Sequence, residues 1–457
     1  MSPSRRLGGT LRIAALALGW TSLSSAEVPL GEAAGWAVSI DGRVNAFVSH
    51  VWGDNRPAGL DNLNWVGFNE SNSPGQADAD NQLRKTRVRS GYVPSTLGFT
   101  VRKAPSDTFR ITGRVEVGIQ ITTVDPVFIG DTTWMEPRAV FLDLAGNWGS
   151  VHAGRDMSLF PRQNLFMNYE LGHGYGLGFP CSYERMFGGA CGHVGFGVLW
   201  PDYRAQIGYS TPKFGDVLQI SVALLDPRTV PTYNWDQTPL PRVEGDAVAN
   251  YSWGEGSGVK AWGNGFWQTV GTAIDTVDPA TMVPVREDFS QDAYGVGGGV
   301  LGSFGPFKAG VSGYTGKGMD GFMTFTFNPI AIGQDNTLPN RSERRFRKTS
   351  GFLAEASFTL GSTWIMGGFG KALLDRDATD APIETLEAPP LIRTQTGISA
   401  GLFHRIDSVV LGIDYFNASY AFDARFTDPD MSGPLEPTYV DSKQTVHIVN
   451  SGVTLEW

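Results

Sequence analysis

The stretch NSGVTLEW, residues 450–457, carries the reading that decides the fold. Val453, Leu455 and Trp457 alternate with Gly452, Thr454 and Glu456, the period of a strand with one apolar and one polar face. A terminal segment of this kind frays unless something holds it. The same alternation recurs upstream. Val38, Ile40, Val44, Ala46 and Val48 share one parity, against Ser39, Asp41, Arg43 and Asn45. In DTFRITGRVEVGIQI (107–121), Phe109, Ile111, Val115, Val117 and Ile119 alternate with Arg110, Thr112, Arg114 and Glu116. Further runs start at Tyr203, Leu218 and Phe352. A helix would scatter these apolar sets around its circumference, and no segment shows a convincing 3.6-residue period.

The N-terminus has the three parts of a secretory leader: arginines without acids in MSPSRRLGGTLR, a short apolar core in IAALALGW, and small residues in TSLSSA. The apolar core is too short to span a membrane as an anchor. Cleavage after Ala26 removes Arg5, Arg6 and Arg12, leaving 33 basic against 46 acidic side chains and a formal charge of −13. That balance argues against nucleic acid as a partner, since no basic surface would neutralise phosphates. With 58 glycines, 27 phenylalanines, 18% charged residues and a mean hydropathy of −0.14, the mature chain fits either a soluble all-β protein or a membrane β-barrel. The two cysteines, Cys181 and Cys191 in PCSYERMFGGACG, read as a disulfide closing a small loop in an exported protein.

Connection lengths separate the two folds. Short turns are read at 103–107, 145–148, 211–216, 253–258, 303–306, 360–362 and 405–407. Between them lie long, polar stretches near 53–91, 124–134, 158–201, 227–241, 271–288, 318–345, 376–390 and 425–442. The order is long, short, long, short throughout, which predicts about sixteen antiparallel strands. A sandwich has no reason to sort its loops by length onto two ends. An outer-membrane barrel does, with short periplasmic turns and long extracellular loops. In such a barrel the last strand closes onto the first, its apolar face meets lipid, and Trp457 sits in the interfacial aromatic girdle. The expected organisation is a leader over 1–26 and a single transmembrane barrel over 27–457.

At the level of motifs, VSIDGRVNAFVSHV (38–51), STLGFTV (95–101), AVFLDLAGNWGSVHAGRDMSLF (139–160), QIGYSTPKFGDVLQISVAL (206–224) and the terminal GVTLEW resemble, in order, segments of the general diffusion porins of Gram-negative outer membranes. The resemblance implies a sixteen-stranded, usually trimeric barrel that passes water, ions and small hydrophilic solutes passively, with no cofactor. It also implies that the third long loop, 158–201, folds into the lumen. Outer-membrane lipid and lipopolysaccharide are the expected neighbours. Thr96 stands where the family carries an arginine, and Trp457 where it ends in phenylalanine.

The chemistry of such a protein is a constriction whose charges sort solutes. Arg43 and Arg155 match basic positions of the family's motifs, and alternation turns Arg110, Arg114 and Arg204 inward as well, with Glu116 among them. Arg155 shares parity with Val151 and Ala153, so the motif and the period disagree there, and the motif is given precedence. The third loop is short of acids: Asp156 precedes it, and Glu170 and Glu184 are the candidates to face the arginines. Its crowd of aromatics, Phe160, Phe166, Tyr169, Tyr175, Phe179, Tyr183 and Phe187, suggests a substrate-selective porin for sugars or small aromatic or organic acids as the alternative. His152, His173 and His193 read as ordinary polar residues rather than metal ligands. Six histidines, none beside a recognisable nucleophile, leave little support for a barrel enzyme. A soluble glycan-binding β-protein would leave a lipid-sized apolar band unexplained.

Overall fold

A computed structural model describes residues 27–54, 83–119, 121, 135–180, 191–227, 235–236, 240–277, 281, 284–319, 330–331, 345–375, 391–426 and 438–457. The expected leader, Glu184, Cys181 and much of the long loops, including QADADN (76–81), lie outside the described residues.

The wall consists of sixteen strands in chain order. They are β1 (Trp36–Gly53), β2 in two pieces (Leu83–Arg89 and Ser95–Ser106), β3 (Phe109–Ile119), β4 (Met135–Gly146), β5 (Gly149–Met157), β6 (Tyr203–Ser210), β7 (Leu218–Leu225) and β8 (Arg242–Gly254). The second half comprises β9 (Ser257–Val277), β10 (Pro284–Phe304), β11 (Phe307–Lys317), β12 (Lys348–Leu360), β13 (Thr363–Leu374), β14 (Leu391–Ile406), β15 (Val409–Phe426) and β16 (Thr438–Glu456). Each pairs antiparallel with its neighbours in sequence. The ring closes where β1 pairs with β16, from Arg43↔Glu456 to Gly53↔Val446. Beyond the end of β16, the edge of β1 is covered by the segment Val28–Ala33, in register from Val28↔Ile40 to Ala33↔Trp36. The Gly42 and Trp457 backbones exchange hydrogen bonds of 2.9 and 3.1 Å, so the last residue is paired rather than frayed.

Both pieces of β2 pair with β1, at Phe47↔Arg89 to Gly53↔Leu83 and at Trp36↔Lys103 to Arg43↔Thr96. The interruption at 90–94 contains Pro94, which has no N–H for a ladder. Asn45 repairs the gap: its Oδ1 accepts from Gly91 N at 2.7 Å and its Nδ2 donates to Val93 O at 2.6 Å.

The outer face carries the apolar parity. Val296, Val311, Ile365, Ile398 and Leu411 are all exposed, which in a barrel of this kind is the surface that hydrocarbon covers. Around the short turns the exposed outer residues turn aromatic: Trp148, Phe214, Trp253, Phe304, Phe307 and Phe358. This is the interfacial girdle at the short-turn end.

Two expectations change. The stretch 271–288 is mostly strand, because β9 and β10 rise together to Val277↔Pro284. The β-branched run of Thr269, Val270, Thr272, Ile274, Thr276 and Val277 favours extended backbone beyond the apolar band. The third long connection contains a helix, α1 (Leu159–Glu170), and a 3-10 turn at His173–Tyr175. No amphipathic period announces α1, because its residues from Leu159 to Asn168 are all buried, polar and apolar alike.

Val300 faces outward on β10 and Leu301 inward. Arginine in place of Val300 is expected to destabilise the barrel by about 2–4 kcal/mol, measured as a lower midpoint of urea unfolding from lipid vesicles. A serine at the same position should cost much less.

Candidate functional site

The inner face of the wall is lined by the third loop. From Ser158 to Pro180 nearly every residue is buried, and so are all residues from Cys191 to Pro201. The helix enters along β8 and β9. The Phe160 N–H donates to Glu244 Oε2 at 2.9 Å, and Arg242 donates to the other oxygen of that carboxylate at 2.6 Å. Arg162 pairs with Asp246 at 3.0 Å, and Trp262 Nε1 donates to Asn164 Oδ1 at 2.8 Å. On the far side, the Leu177 and Gly178 N–H groups donate to the Asp414 carboxylate at 3.0 and 2.9 Å, while Asn450 donates to Gly178 O at 2.9 Å. These polar contacts frame an apolar core in which Phe179 and Phe196 pack against Phe416 and Tyr420.

Arg43 faces inward from β1 and binds the loop rather than lining open water. It is 3% exposed. Its guanidinium donates to Gly174 O at 2.7 Å, to Tyr169 Oη at 2.5 Å, and to Glu456. The rings of Tyr169 and Tyr175 lie over it at 5.4 and 5.1 Å. Burial raises the Tyr169 phenol above its ordinary pKa, against the pull of Arg43, so it stays neutral. Arg405 supports the same node, reaching Tyr175 Oη at 2.9 Å and Glu456 at 3.2 Å.

The remaining residues expected at the site fall into different places. Arg114 grips Asp41 with two bonds of 2.6 and 2.8 Å, and also binds Thr100 and Glu116 at 2.8 and 2.6 Å. Three strands are thereby joined around one cation with two carboxylates. Arg110 shares that face but is exposed, one residue from the short-turn end of β3. Arg204 turns its guanidinium to the carbonyls of Asp226 and Pro227 at 2.7 and 2.6 Å, and to Asp202 at 3.0 Å. Asp156 is inward and 9% exposed, 3.5 Å from His152 Nε2. Glu170 faces Lys260 of β9 at 3.2 Å.

Arg155 is the correction. It stands opposite Val140, on the outward parity, and its Nε donates to Pro137 O at 2.8 Å. Its neighbours Gly154 and Asp156 hold the inward positions, with His152 on the same inward parity. The aromatics of the loop also differ from their expected role. Phe160, Phe166 and Phe179 are buried at 0–7% exposure and pack against the wall instead of offering faces to a solute.

Several residues that hold the site were not singled out from sequence: Glu244, Asp246, Glu355, Asp414 and Glu456. Each sits on the inward parity of a strand in the second half of the barrel or beside it. An acid on an inward parity whose neighbours are apolar, as with Asp414 between Val410 and Phe416, was the available signal. His173 and His193 meet at 5.1 Å between ring centroids. Burial pushes His173 down to about 4 and His193 well below the usual range, so both imidazoles are neutral at pH 7.

Replacing Arg43 by methionine keeps its bulk and leaves Glu456 with Arg405 and the Tyr175 hydroxyl. A loss of about 3 kcal/mol is expected, at the low end for a broken buried pair, with earlier proteolytic cleavage within 158–201 in the folded protein.

The comparisons with known proteins follow this geometry. A family model described as Gram-negative porin matches residues 13–388. A comparison with curated proteins found no match. Among solved structures, the outer membrane channel DcaP of Acinetobacter baumannii is similar with a TM-score of 0.58 and 13% identity, covering 92% of this chain and 98% of that one. The anion-selective porin from Comamonas acidovorans gives 0.55 and 16%, covering 92% and 100%. Salmonella typhi OmpF in complex with daunomycin gives 0.50 and 12%, covering 94% and 100%. At these identities the structural likeness speaks for the fold. The family match spans most of the sequence, and the chain belongs to the Gram-negative porins, proteins of the outer membrane.

Proposed function

We propose that the protein is a passive channel for ions and small hydrophilic solutes, narrowed by its third loop and favouring anions. The observation that carries the selectivity is the set of inward side chains that water reaches on the short-turn side of the loop. Arg102, Arg110, Lys260, Lys308 and Arg405 stand there at least partly exposed, against Glu27, Glu170 and Glu456, which pair with Arg102, Lys260 and Arg405 and leave two cations in excess. The deeper charges are already matched in pairs, as Arg114 is by Asp41 and Glu116, so they add little net field. An excess of accessible cations at one mouth concentrates anions there.

The general-diffusion reading is preferred to a substrate-selective one, because the described loop aromatics that motivated stacking are consumed in packing. The same reading carries export through the 1–26 leader, a homotrimer as in the family it resembles, and lipopolysaccharide around the outer loops. It also carries a Cys181–Cys191 disulfide closing a small loop, with Cys191 3% exposed.

The test is single-channel recording of the refolded mature protein in a planar bilayer under a salt gradient. Stepwise openings with a reversal potential on the anion side are expected. Lys260→Glu together with Arg110→Glu should move that potential toward cation preference. Cation preference in the unmodified protein would overturn the selectivity, and a bilayer that stays silent after insertion would overturn the channel.

A further inference from the structure

Glu355 projects inward from β12 into the packed loop, with its side chain fully buried. Two histidines of the loop converge on it from opposite limbs. His173 Nδ1 lies 3.8 Å and His193 Nε2 3.7 Å from Glu355 Oε1, and one ligand-type atom from each residue falls within 4.8 Å of the other two. These separations are too long for hydrogen bonds.

The cluster is rich in buried polar atoms without partners: both ring nitrogens of His173, Nδ1 of His193, Oε2 of Glu355, Oδ1 of Asn168 and the Tyr92 hydroxyl. Such atoms are rare in a folded protein because each carries an uncompensated desolvation cost. A metal ion between the three side chains would take one lone pair from each imidazole and one from the carboxylate, and among the unpartnered atoms it would meet His173 Nδ1, which faces Glu355.

We propose that His173, His193 and Glu355 form a buried zinc site that clamps the inserted loop to strand β12. Two neutral imidazoles and one carboxylate are a nitrogen and oxygen donor set suited to zinc. Ligand atoms about 2.0–2.1 Å from a tetrahedral zinc ion stand about 3.3–3.5 Å apart. The two separations to the carboxylate, 3.7 and 3.8 Å, need to contract by a few tenths of an ångström, and the two imidazole nitrogens, within 4.8 Å of each other, by at most about 1.5 Å. Coordination by His193 Nε2 would exchange its contact with Ser399 Oγ, now 2.8 Å, and free that hydroxyl for the fourth position. Asn168 Nδ2 donates to Glu355 Oε1 at 2.7 Å and holds the carboxylate toward the imidazoles.

The placement gives the ion a role. Two ligands belong to the loop and one to the wall, so only the docked loop assembles the site. Binding therefore stabilises the docked arrangement by mass action. Complete burial means that the ion enters while the loop settles, not afterwards.

The mature protein is refolded in detergent with zinc or with EDTA, passed through gel filtration, and assayed for metal by mass spectrometry. Near one zinc per chain is expected after refolding with zinc, with a higher temperature for loss of the heat-modifiable band than in the EDTA sample. Refolding with cobalt should give the visible absorption of a tetrahedral nitrogen and oxygen site. His193→Ala and Glu355→Gln should lose the metal and the cobalt band. Unmodified protein that refolds with no retained zinc, or whose melting is the same with zinc and with EDTA, overturns the proposal. This holds whether or not the variants fold, and the conductance measurement is independent of it.

Discussion

Hydrocarbon offers no partner for a backbone N–H or C=O, so a sheet that crosses it must close on itself. The pairing of β1 with β16 is the contact that achieves this, and Val28–Ala33 covers what the end of β16 leaves bare. Closure then fixes the sides: every second residue faces lipid and the others face inward. A wall of sixteen strands encloses more space than its own side chains fill. The interior must hold water or be occupied, and here the third loop occupies much of it.

That occupation reverses the usual logic of the inward face. Where water remains, an inward polar side chain is simply solvated. Where the loop lies, each inward acid must be matched by a group of the loop or wall. Asp414 is matched by two loop N–H groups and Asn450, and Glu244 by a loop N–H and Arg242. The charges beside the loop thus act as its fastenings. The proposed selectivity rests instead on charges that the loop does not touch, such as Arg110, or that meet it beside Glu170, such as Lys260.

The wall was legible because alternation and loop rhythm are direct consequences of lipid on one face. Val453, Leu455 and Trp457 indicate their side without any knowledge of their neighbours. The loop was less legible, since its residues answer to a surface assembled from many strands distant in sequence. Helix α1 lacks an amphipathic stripe because it has no solvent face, and nothing local marks Asn164 or Asn168 as buried. Arg155 teaches the converse. A short motif suggested the lumen, but parity with Val151 and Ala153 had already placed it outside, and in a closed sheet parity is set by backbone geometry.

The fit between loop and wall also rests on what is absent from the wall. A Cβ on Gly370 of β13 would lie 1.9 Å from the Phe196 carbonyl oxygen, and one on Gly397 of β14 would lie 2.9 Å from the Phe196 Cβ. The loop answers with Gly197, whose φ of +98° takes the chain within reach of the Phe352 carbonyl. Backbone meets backbone there with no side chain between. The close approach needs Gly370 itself, because at Ala372, the next inward position along β13, a methyl group would stand in the way. Size complementarity therefore selects where the loop lies, and the buried acids and arginines hold it in that place.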